Sequence, residues 1–345
     1  MKNWKIKSED KFLSLIVNCQ KEDLKRVLMD KSQYYGDEVL IPKKRGVRTI
    51  YNIDKEHPLY KIQKSVVNNF LNNIRVSDAA CGFVKKTSYY DFLEPHTDFY
   101  CKNNYLRLDL KDFFGTITKS MVYDALEFYC QIDDKDEKER VLNYLSDILT
   151  YNDVVVQGCI PSPMISNIVF RKVDIRIQRY CNTCNAKYTR YADDLLFSGR
   201  DERILKNSFC KGISKIVQDN GFEINYDKKI KGKGYISLNG FVVSDSITLS
   251  RKKLEEINRI VFYLKGNKER LRKIKNGDVS ELNEHIKNET GVENKFSGKY
   301  QVTNYLNGYR AFLISIIKKT ENKKFMGKVK NIIINIEYCV DKIIV

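Results

Sequence analysis

The chain has 345 residues, of which 42% are hydrophobic and 30% charged, so it can bury a full core and is globular rather than disordered. Its 61 Lys or Arg residues outnumber 44 Asp or Glu, and the net charge of +17 favours a polyanionic partner. The excess is greatest at the C-terminal end, where residues 251–345 carry 21 basic and 11 acidic side chains.

Cysteine usage and hydropathy indicate a cytoplasmic protein without a membrane partner. The nine cysteines form no recognisable disulfide framework, and the charged segment 1–10 does not resemble a signal peptide. Cys181 and Cys184 have the spacing of half a zinc site, but no second pair follows at a suitable distance, so zinc is disfavoured. No apolar stretch approaches the roughly 20 residues that span a bilayer.

The N-terminal third alternates between helical and β-like patterns. Residues 1–37 predict helices, and residues 39–53 predict a hairpin that carries Lys44 and Arg48 near its turn. Lysine and arginine side chains there suit phosphate groups, although a solvated basic turn is the plainer alternative. Residues 57–73 predict a further amphipathic helix.

Three aspartates stand at the ends of predicted strands. Residues 105–109 form a short apolar strand that ends in Asp109, and residues 186–198 predict a hairpin with Asp193 and Asp194 at its tip. A lone Asp-Asp pair would more often be a solvated turn. Three carboxylates on two strand ends instead favour a site for hard divalent cations, and two such ions roughly 4 Å apart support nucleotidyl transfer.

The remaining segments mostly have helical spacing of apolar residues. The predicted helices are residues 120–129, 136–150, 164–180 and 202–220. A loop containing Gln157 and Gly158 leads into the third of them. Residues 235–243 and 247–250 predict a small β-hairpin, and lysine-rich helices follow. The segment 266–298 is polar enough to hold a mobile loop.

In order, spacing and type, these motifs resemble those of reverse transcriptases. Tyr191-Ala192-Asp193-Asp194 resembles the YxDD box, Asp109 the first acid of the palm, and the segment 157–163 the QGxxxSP motif. The resemblance implies an α+β fold of the right-hand polymerase type, with fingers, a ferredoxin-like palm and a helical thumb. The implied division is N-terminal helices and fingers in residues 1–100 with part of 118–160, a palm in 101–245, and a basic thumb in 246–345.

The resemblance also assigns roles to individual residues. Two Mg²⁺ ions would be held by Asp109, Leu110, Asp193 and Asp194. Lys44 and Arg48 would hold the incoming triphosphate, and Gln157 and Gly158 would contact the nucleotide. Phe114 would exclude a ribose 2′-hydroxyl, so that deoxynucleotides are preferred. Either Lys228 or Lys229 would be the general acid, and Leu238, Asn239 and Gly240 would form the primer grip.

Among reverse transcriptases, the chain is most similar to the retron type. The segment 189–194, Gly82-Phe83, Ser88 and His96 carry this likeness. Such enzymes copy part of a dedicated structured non-coding RNA into single-stranded cDNA and act in antiphage defence. The implied partners are therefore that RNA and its cDNA, dNTP substrates and a separate effector protein.

Two departures leave alternatives open. Retron enzymes usually carry an Asn-Ala-x-x-His box and a Val-Thr-Gly motif, and the matching segments here are Phe92 to His96 and Leu238 to Gly240. A defence-associated or abortive-infection reverse transcriptase, with another template or a protein primer, is the main alternative. RNA-dependent RNA polymerases usually have Gly-Asp-Asp and are disfavoured by Phe114. A catalytically silent RNA-binding scaffold is disfavoured by the intact acids.

Overall fold

The structure, a computed structural model, describes residues 5–42, 47–293 and 295–344. The chain divides into two compact units, one formed by Met1–Pro95 with Asn104–Gly232 and the other by His96–Asn103 with Lys233–Val345. The fold mixes helices and sheets, as expected for the α+β class of a right-hand polymerase. The division into fingers, palm and thumb stays a prediction. No helix in the described ranges is long and apolar enough to cross a membrane.

A four-stranded sheet forms the centre of the first unit. Its strands, in chain order, are β3 (Asn104–Asp109), β4 (Lys187–Tyr191), β5 (Asp194–Gly199) and β6 (Ile230–Lys233). The spatial order is β4-β5-β3-β6, and β5 pairs antiparallel with both β3 and β4. Five of the six residues of β3 are buried, because helices and loops cover the sheet. The apolar residues of the strand, Tyr105, Leu106 and Leu108, are all buried.

Helices surround the sheet of the first unit. They are α1 (Glu9–Lys11), α2 (Lys21–Met29), α3 (Pro58–Asn69), α4 (Tyr89–Leu93), α5 (Lys119–Glu127), α6 (Lys135–Leu149), α7 (Ser162–Thr183) and α8 (Asn207–Gln218), with a π-helical turn at Phe12–Val17 and 3-10 turns at Lys31–Tyr34, Leu71–Asn73, Glu94–His96, Glu202–Leu205 and Tyr226–Lys228. Side chains of Thr118 and Asp134 cap α5 and α6 by accepting backbone N–H bonds. In α7 the buried residues include Ile165, Ile168 and Val173. Their spacing predicts one apolar face of the helix, which packs against the core.

A separate two-stranded antiparallel sheet, β1 (Val39–Pro42) and β2 (Val47–Ile50), precedes α3. Its existence agrees with the predicted basic hairpin. Arg48 lies in β2 opposite Ile41 and is exposed. Lys44, the other predicted phosphate ligand, lies outside the described residues.

The second unit combines a small sheet with five helices. The sheet contains β7 (Ile236–Leu238), β8 (Phe241–Val243) and β9 (Ile247–Leu249), and the helices are α9 (Arg251–Lys265), α10 (Lys268–Lys275), α11 (Ser280–Thr290), α12 (Lys299–Ile317) and α13 (Lys323–Ile344). The predicted hairpin is therefore part of a three-stranded meander. Helices α10 and α11 occupy most of the segment 266–298, and the mobile loop for which that segment is polar enough stays a prediction.

Candidate active site

The pairing of strands brings the three aspartates together. Asp109, the last residue of β3, is the register partner of Asp194, the first residue of β5. Directly beyond that pair, the backbone N–H of Leu110 donates to the carbonyl of Asp193 at 2.9 Å. Asp193 lies in the turn that joins β4 to β5. The structure thus assembles, at the ends of two inner strands of the sheet, acids that are 84 and 85 residues apart in the sequence.

The hairpin tip is held by a buried ion pair. Arg190 and Asp174 of α7 are both fully buried, and the guanidinium donates to both carboxylate oxygens at 2.9 and 2.8 Å. The hydroxyl of Tyr188 donates to the same carboxylate at 2.7 Å. A further N–H of Arg190 donates to the carbonyl of Ala192, which has a φ of 55°. This bond fixes a turn conformation that alanine rarely adopts.

Two basic side chains lie against the aspartates. The Nζ of Lys228 lies 2.9 Å from one oxygen of Asp109 and 3.2 Å from the other. The guanidinium of Arg107 donates to Asp109 at 3.0 Å, to the carboxylate of Asp194, and to the backbone carbonyl of Lys228 at 2.9 Å. Arg107 precedes Asp109 by two residues, so strand alternation places both side chains on the same face.

Burial disfavours the charged form of two of the aspartates. Burial, followed by the charge of Asp109, raises the pKa of Asp193. Burial raises the pKa of Asp194 to about 6, although the neighbouring Arg107 opposes this shift. Carboxylates that are buried beside one another are more stable when a cation neutralises them.

The chemistry of these groups fits divalent cations. Carboxylate oxygens on adjoining backbone positions are the ligands that Mg²⁺ prefers. Leu110 has only its main-chain carbonyl to offer as an oxygen ligand. Among the described residues, no three His, Cys, Asp or Glu side chains are already arranged as a metal cage. The charged groups that contact the acids are Arg107 and Lys228.

The two lysines that the sequence left as alternatives have different surroundings. Lys228 contacts Asp109, whereas the Nζ of Lys229 lies 5.6 Å from the ring centre of Tyr226. The backbone N–H of Asn225 donates to the carbonyl of Asp109 at 2.7 Å, which places the turn before Lys228 beside the end of β3. The geometry therefore favours Lys228 as the residue that acts at the acids.

The loop with Gln157 and Gly158 lies against the end of β2. The carbonyl of Gln157 accepts a bond from the N–H of Tyr51 at 2.8 Å. Gly158 has a φ of 102°, and a Cβ there would lie 2.1 Å from the carbonyl oxygen of Tyr51. Only glycine fits this approach. The contact connects the loop to the strand that carries Arg48.

Phe114 is half-buried beside another aromatic residue. Its ring centre lies 5.4 Å from Phe113 and 6.0 Å from Phe83, which is 43% exposed. Phe83 follows Gly82, where a Cβ would lie 2.5 Å from the backbone nitrogen of Ala192. The segment with Phe83 therefore packs between Phe114 and the hairpin tip.

The predicted primer grip belongs to the second unit. Leu238 pairs with Phe241, and the turn residues Asn239 and Gly240 have φ angles of 48° and 84°. Such angles are typical of a tight two-residue hairpin turn. The segment thus forms a hairpin, and its role in holding a primer stays a prediction.

Sequence reasoning assigned no role at the site to Arg107, to Phe83 or to the pair of Arg190 with Asp174. Arg107 could have been found, since it lies two residues before Asp109 on a strand. Asp174 carries no such signal, because its partner is 16 residues away on another element.

Comparison with known proteins gives a family match over more than half of the chain. Residues 41–233 match the family model described as reverse transcriptase (RNA-dependent DNA polymerase). The retron Ec86 reverse transcriptase of Escherichia coli is 30% identical over 227 residues, which cover 65% of this chain and 67% of that protein.

A second relative, the retron Mx65 reverse transcriptase of Myxococcus xanthus, is 29% identical over 228 residues, covering 61% of this chain and 52% of that protein. The chain thus spans about two thirds of the first relative and half of the second. Among solved structures, a telomerase from Candida albicans aligns with a TM-score of 0.46 and 14% identity, over 93% of this chain and 65% of that one.

Proposed function

Because the chain belongs to the reverse transcriptase (RNA-dependent DNA polymerase) family, and within it to the retron type, we propose that it copies a structured RNA into single-stranded DNA at the aspartate cluster. The observation that carries this proposal is the register of β3 and β5, which sets Asp109 beside Asp194. Asp193 lies in the adjoining turn. Lys228 lies within hydrogen-bond distance of Asp109.

In the proposed reaction the aspartates, together with the main-chain carbonyl of Leu110, would hold two Mg²⁺ ions. Bound there, the ions would activate the primer 3′-hydroxyl and neutralise the charge of the departing pyrophosphate. The residues of the chain hold the other groups. Arg48, with Lys44, binds the β and γ phosphates, since a guanidinium fork matches phosphate oxygens.

Other side chains select and release the substrate. Gln157 contacts the incoming nucleotide, and Gly158 lets the backbone approach it. Phe114 blocks the space that a ribose 2′-hydroxyl would need, so dNTPs are the preferred substrates. Lys228 donates a proton to the departing pyrophosphate as general acid.

The biological role proposed for the enzyme is antiphage defence with a separate effector protein and a dedicated non-coding RNA. A defence-associated or abortive-infection enzyme with another template or a protein primer is the second candidate. The departures at Phe92 to His96 and Leu238 to Gly240 favour that candidate.

Primer extension tests the chemistry. The Asp193→Asn variant should lose at least about a thousandfold in dNTP incorporation, because a metal-bound transition state contributes several kcal/mol. RNA binding should persist. The matched control is Asp201→Asn, because the Asp201 carboxylate bonds Arg203 in the turn after β5 and not the aspartate cluster. Parental rates in the Asp193→Asn protein would refute the proposed ligands.

Copurified nucleic acid tests the retron role. The parent and the Asp193→Asn variant would be purified from the native locus, and all bound RNA and DNA would be sequenced. A discrete RNA joined to a cDNA of its own segment, in the parent alone, is the expected result. Homopolymeric or protein-linked DNA would favour the second candidate, and RNA without DNA in either sample would indicate a scaffold.

A further inference from the structure

The second unit presents three large aromatic side chains to solvent on two adjoining segments. Phe99 is 82% exposed, Tyr100 63% and Tyr235 62%. We call these rings, together with Lys102 and Lys233, the aromatic–lysine platform. Single exposed aromatic residues are ordinary on protein surfaces, but a cluster of them indicates a binding surface.

Backbone hydrogen bonds join the two segments of the platform. The N–H of Gly234 donates to the carbonyl of Asn103 at 2.9 Å. A Cβ on Gly234 would lie 3.2 Å from the carbonyl oxygen of Cys101, which shows how closely the segments approach. Tyr235 follows Gly234 directly, so its backbone lies beside the segment that carries Phe99 and Tyr100, and its side chain is exposed.

The turn that carries Phe99 and Tyr100 is held by hydrogen bonds. The N–H of Cys101 donates to the carbonyl of Asp98 at 2.8 Å, and the N–H of Lys102 donates to the Asp98 carboxylate at 2.9 Å. Cys101 itself has a φ of 52°. The N–H of Asp98 in turn donates to the carbonyl of Ser244 at 2.8 Å. The rings are therefore presented on an ordered backbone, which lowers the entropy cost of binding.

The arrangement of the rings suits stacking with a flat ligand. Phe99 and Tyr100 meet edge to face, with ring centres 5.4 Å apart and planes at 88°. With 82% of Phe99 and 63% of Tyr100 exposed, most of the surface of both side chains faces solvent. The Nζ of Lys102 lies 6.0 Å from the ring centre of Tyr100. An ammonium group is thus available beside an aromatic surface.

The second unit carries a net positive charge, which favours a polyanionic partner. Residues 96–103 and 233–345 carry 23 Lys or Arg and 13 Asp or Glu, a net +10. From rings, lysines and this charge together, we infer that the platform binds a single-stranded segment of nucleic acid, with unpaired bases stacked on the rings and phosphates beside the lysines. The inference rests on the proposed function, because it concerns the template RNA or its cDNA.

Fluorescence anisotropy would test the platform without any chemistry. The probes are a labelled 12-nucleotide oligouridine, the matching oligodeoxythymidine and a blunt RNA duplex of the same length, all without dNTPs. Tyr100→Leu and Phe99→Leu should each weaken single-strand binding about 5- to 100-fold, because stacking is lost while an apolar side chain remains. Tyr100→Phe should bind like the parent, and duplex binding should change little.

Two controls separate stacking from other effects. Phe128→Leu changes a residue that is 69% exposed and has the Nζ of Lys5 at 5.3 Å from its ring, but it belongs to the first unit. Its affinity for the single strands should equal that of the parent. Lys102→Ala should lower the salt dependence of binding by about 0.7 in a log–log plot, whereas Tyr100→Leu should leave that slope unchanged.

Thiol labelling gives a second readout. Cys101 is exposed and lies between Tyr100 and Lys102. Bound oligouridine should slow maleimide modification of Cys101, as mapped by peptide mass, but not that of Cys184 in the first unit. Cys184 is partly exposed. Equal labelling of Cys101 with and without saturating single strand would overturn the inference.

The outcomes also separate the platform from the enzyme. Unchanged single-strand binding in both ring variants, or an equal loss in Phe128→Leu, would refute the platform even if primer extension is normal. A ring-dependent affinity in a protein that extends no primer would refute the polymerase proposal alone. A stronger effect with oligouridine than with oligodeoxythymidine would assign the site to RNA, and the reverse to cDNA.

Discussion

Lys228 and Lys229 are neighbours in sequence, but only one contacts the aspartates. Lys228 is 51% exposed and reaches the nearly buried Asp109, so its ammonium lies between solvent and the acids. A group in this place can exchange its proton with water between cycles. Lys229 lies over Tyr226 instead.

We therefore expect unequal effects of the two alanine substitutions. Lys228→Ala should slow single-nucleotide incorporation at least about 100-fold, the usual contribution of a general acid. Lys229→Ala should slow it less than about tenfold. Rapid-quench kinetics on one primer–template would measure both rates, with binding determined separately. The assignment fails if Lys229→Ala is the slower enzyme.

Arg107 is the second cation at the aspartates. Little of its side chain is exposed, so water could not easily take the place of its carboxylate partners. Its side chain is 15% exposed, and that of Asp194 is 13% exposed. Without the guanidinium, the neighbouring carboxylates of Asp109, Asp193 and Asp194 would repel one another more strongly. In this structure Arg107 supplies the charge that stabilises the assembled cluster.

Arg107→Leu should lower the free energy of unfolding in EDTA by about 3 kcal/mol, the lower end of the range for a broken buried pair. Added Mg²⁺ should then raise the melting temperature more in the variant than in the parent, because a cation replaces the lost charge. Arg107→Lys is the control and should resemble the parent. An equal Mg²⁺ effect in all three proteins would contradict this role.

At the level of elements, the hairpin β4–β5 depends on α7 through Arg190 and Asp174. Both side chains are fully buried, and the guanidinium also lies 4.8 Å from the ring centre of Phe170. A buried charge that loses its partner cannot be solvated. The pair thus makes the acidic tip dependent on a helix that begins just after the Gln157 loop.

Arg190→Leu should lower the free energy of unfolding by about 3–5 kcal/mol. The double variant Arg190→Leu with Asp174→Leu should be more stable than the single one, because no unpaired carboxylate remains. The matched control is Arg176→Leu on α7, the helix that carries Asp174. Arg176 pairs with Asp219, and their side chains are 45% and 42% exposed. That change should cost at most about 1 kcal/mol. Urea denaturation of the three variants would measure these values, and equal losses for Arg190 and Arg176 would refute the argument.

The sequence predicted the elements that carry the acids because their local signals agree. Asp109 ends an apolar run, and the tip at Asp193 interrupts two runs of buried residues. Partners such as Asp174 escaped prediction, since a charged residue in a helix says nothing about a strand that follows it.

The two helices within the segment 266–298 were not predicted individually, for a different reason. The few apolar residues of the segment lie among many charges, so the helical pattern is weak. In the structure Leu271, Ile274, Leu282 and Ile286 are nevertheless buried, and α10 packs on α9 and α13. Tertiary burial stabilises helices that the local sequence supports only weakly.

For the whole molecule, the uneven distribution of charge suggests which unit carries most of the affinity for nucleic acid. The second unit has a net +10 of the total +17. Helix α13 contributes Lys324, Lys328 and Lys330, all exposed on a helix whose Phe325 and Val329 are buried. Its lysines therefore point away from the core. Contacts between such lysines and phosphates release counterions, which makes binding depend on salt.

Replacing Lys324, Lys328 and Lys330 with Gln should weaken binding of a structured RNA and flatten its log–log salt dependence by up to about 2–3, since each phosphate contact contributes about 0.7–0.9. The control replaces Lys7, Lys11 and Lys25 with Gln, three exposed lysines of the first unit. Both variants lose the same net charge, so a general effect of charge would act on them equally. Filter binding between 50 and 300 mM salt, roughly the range over which such contacts weaken by orders of magnitude, would compare them. Equal slopes in the two variants would show that net charge, rather than the face of α13, attracts the RNA.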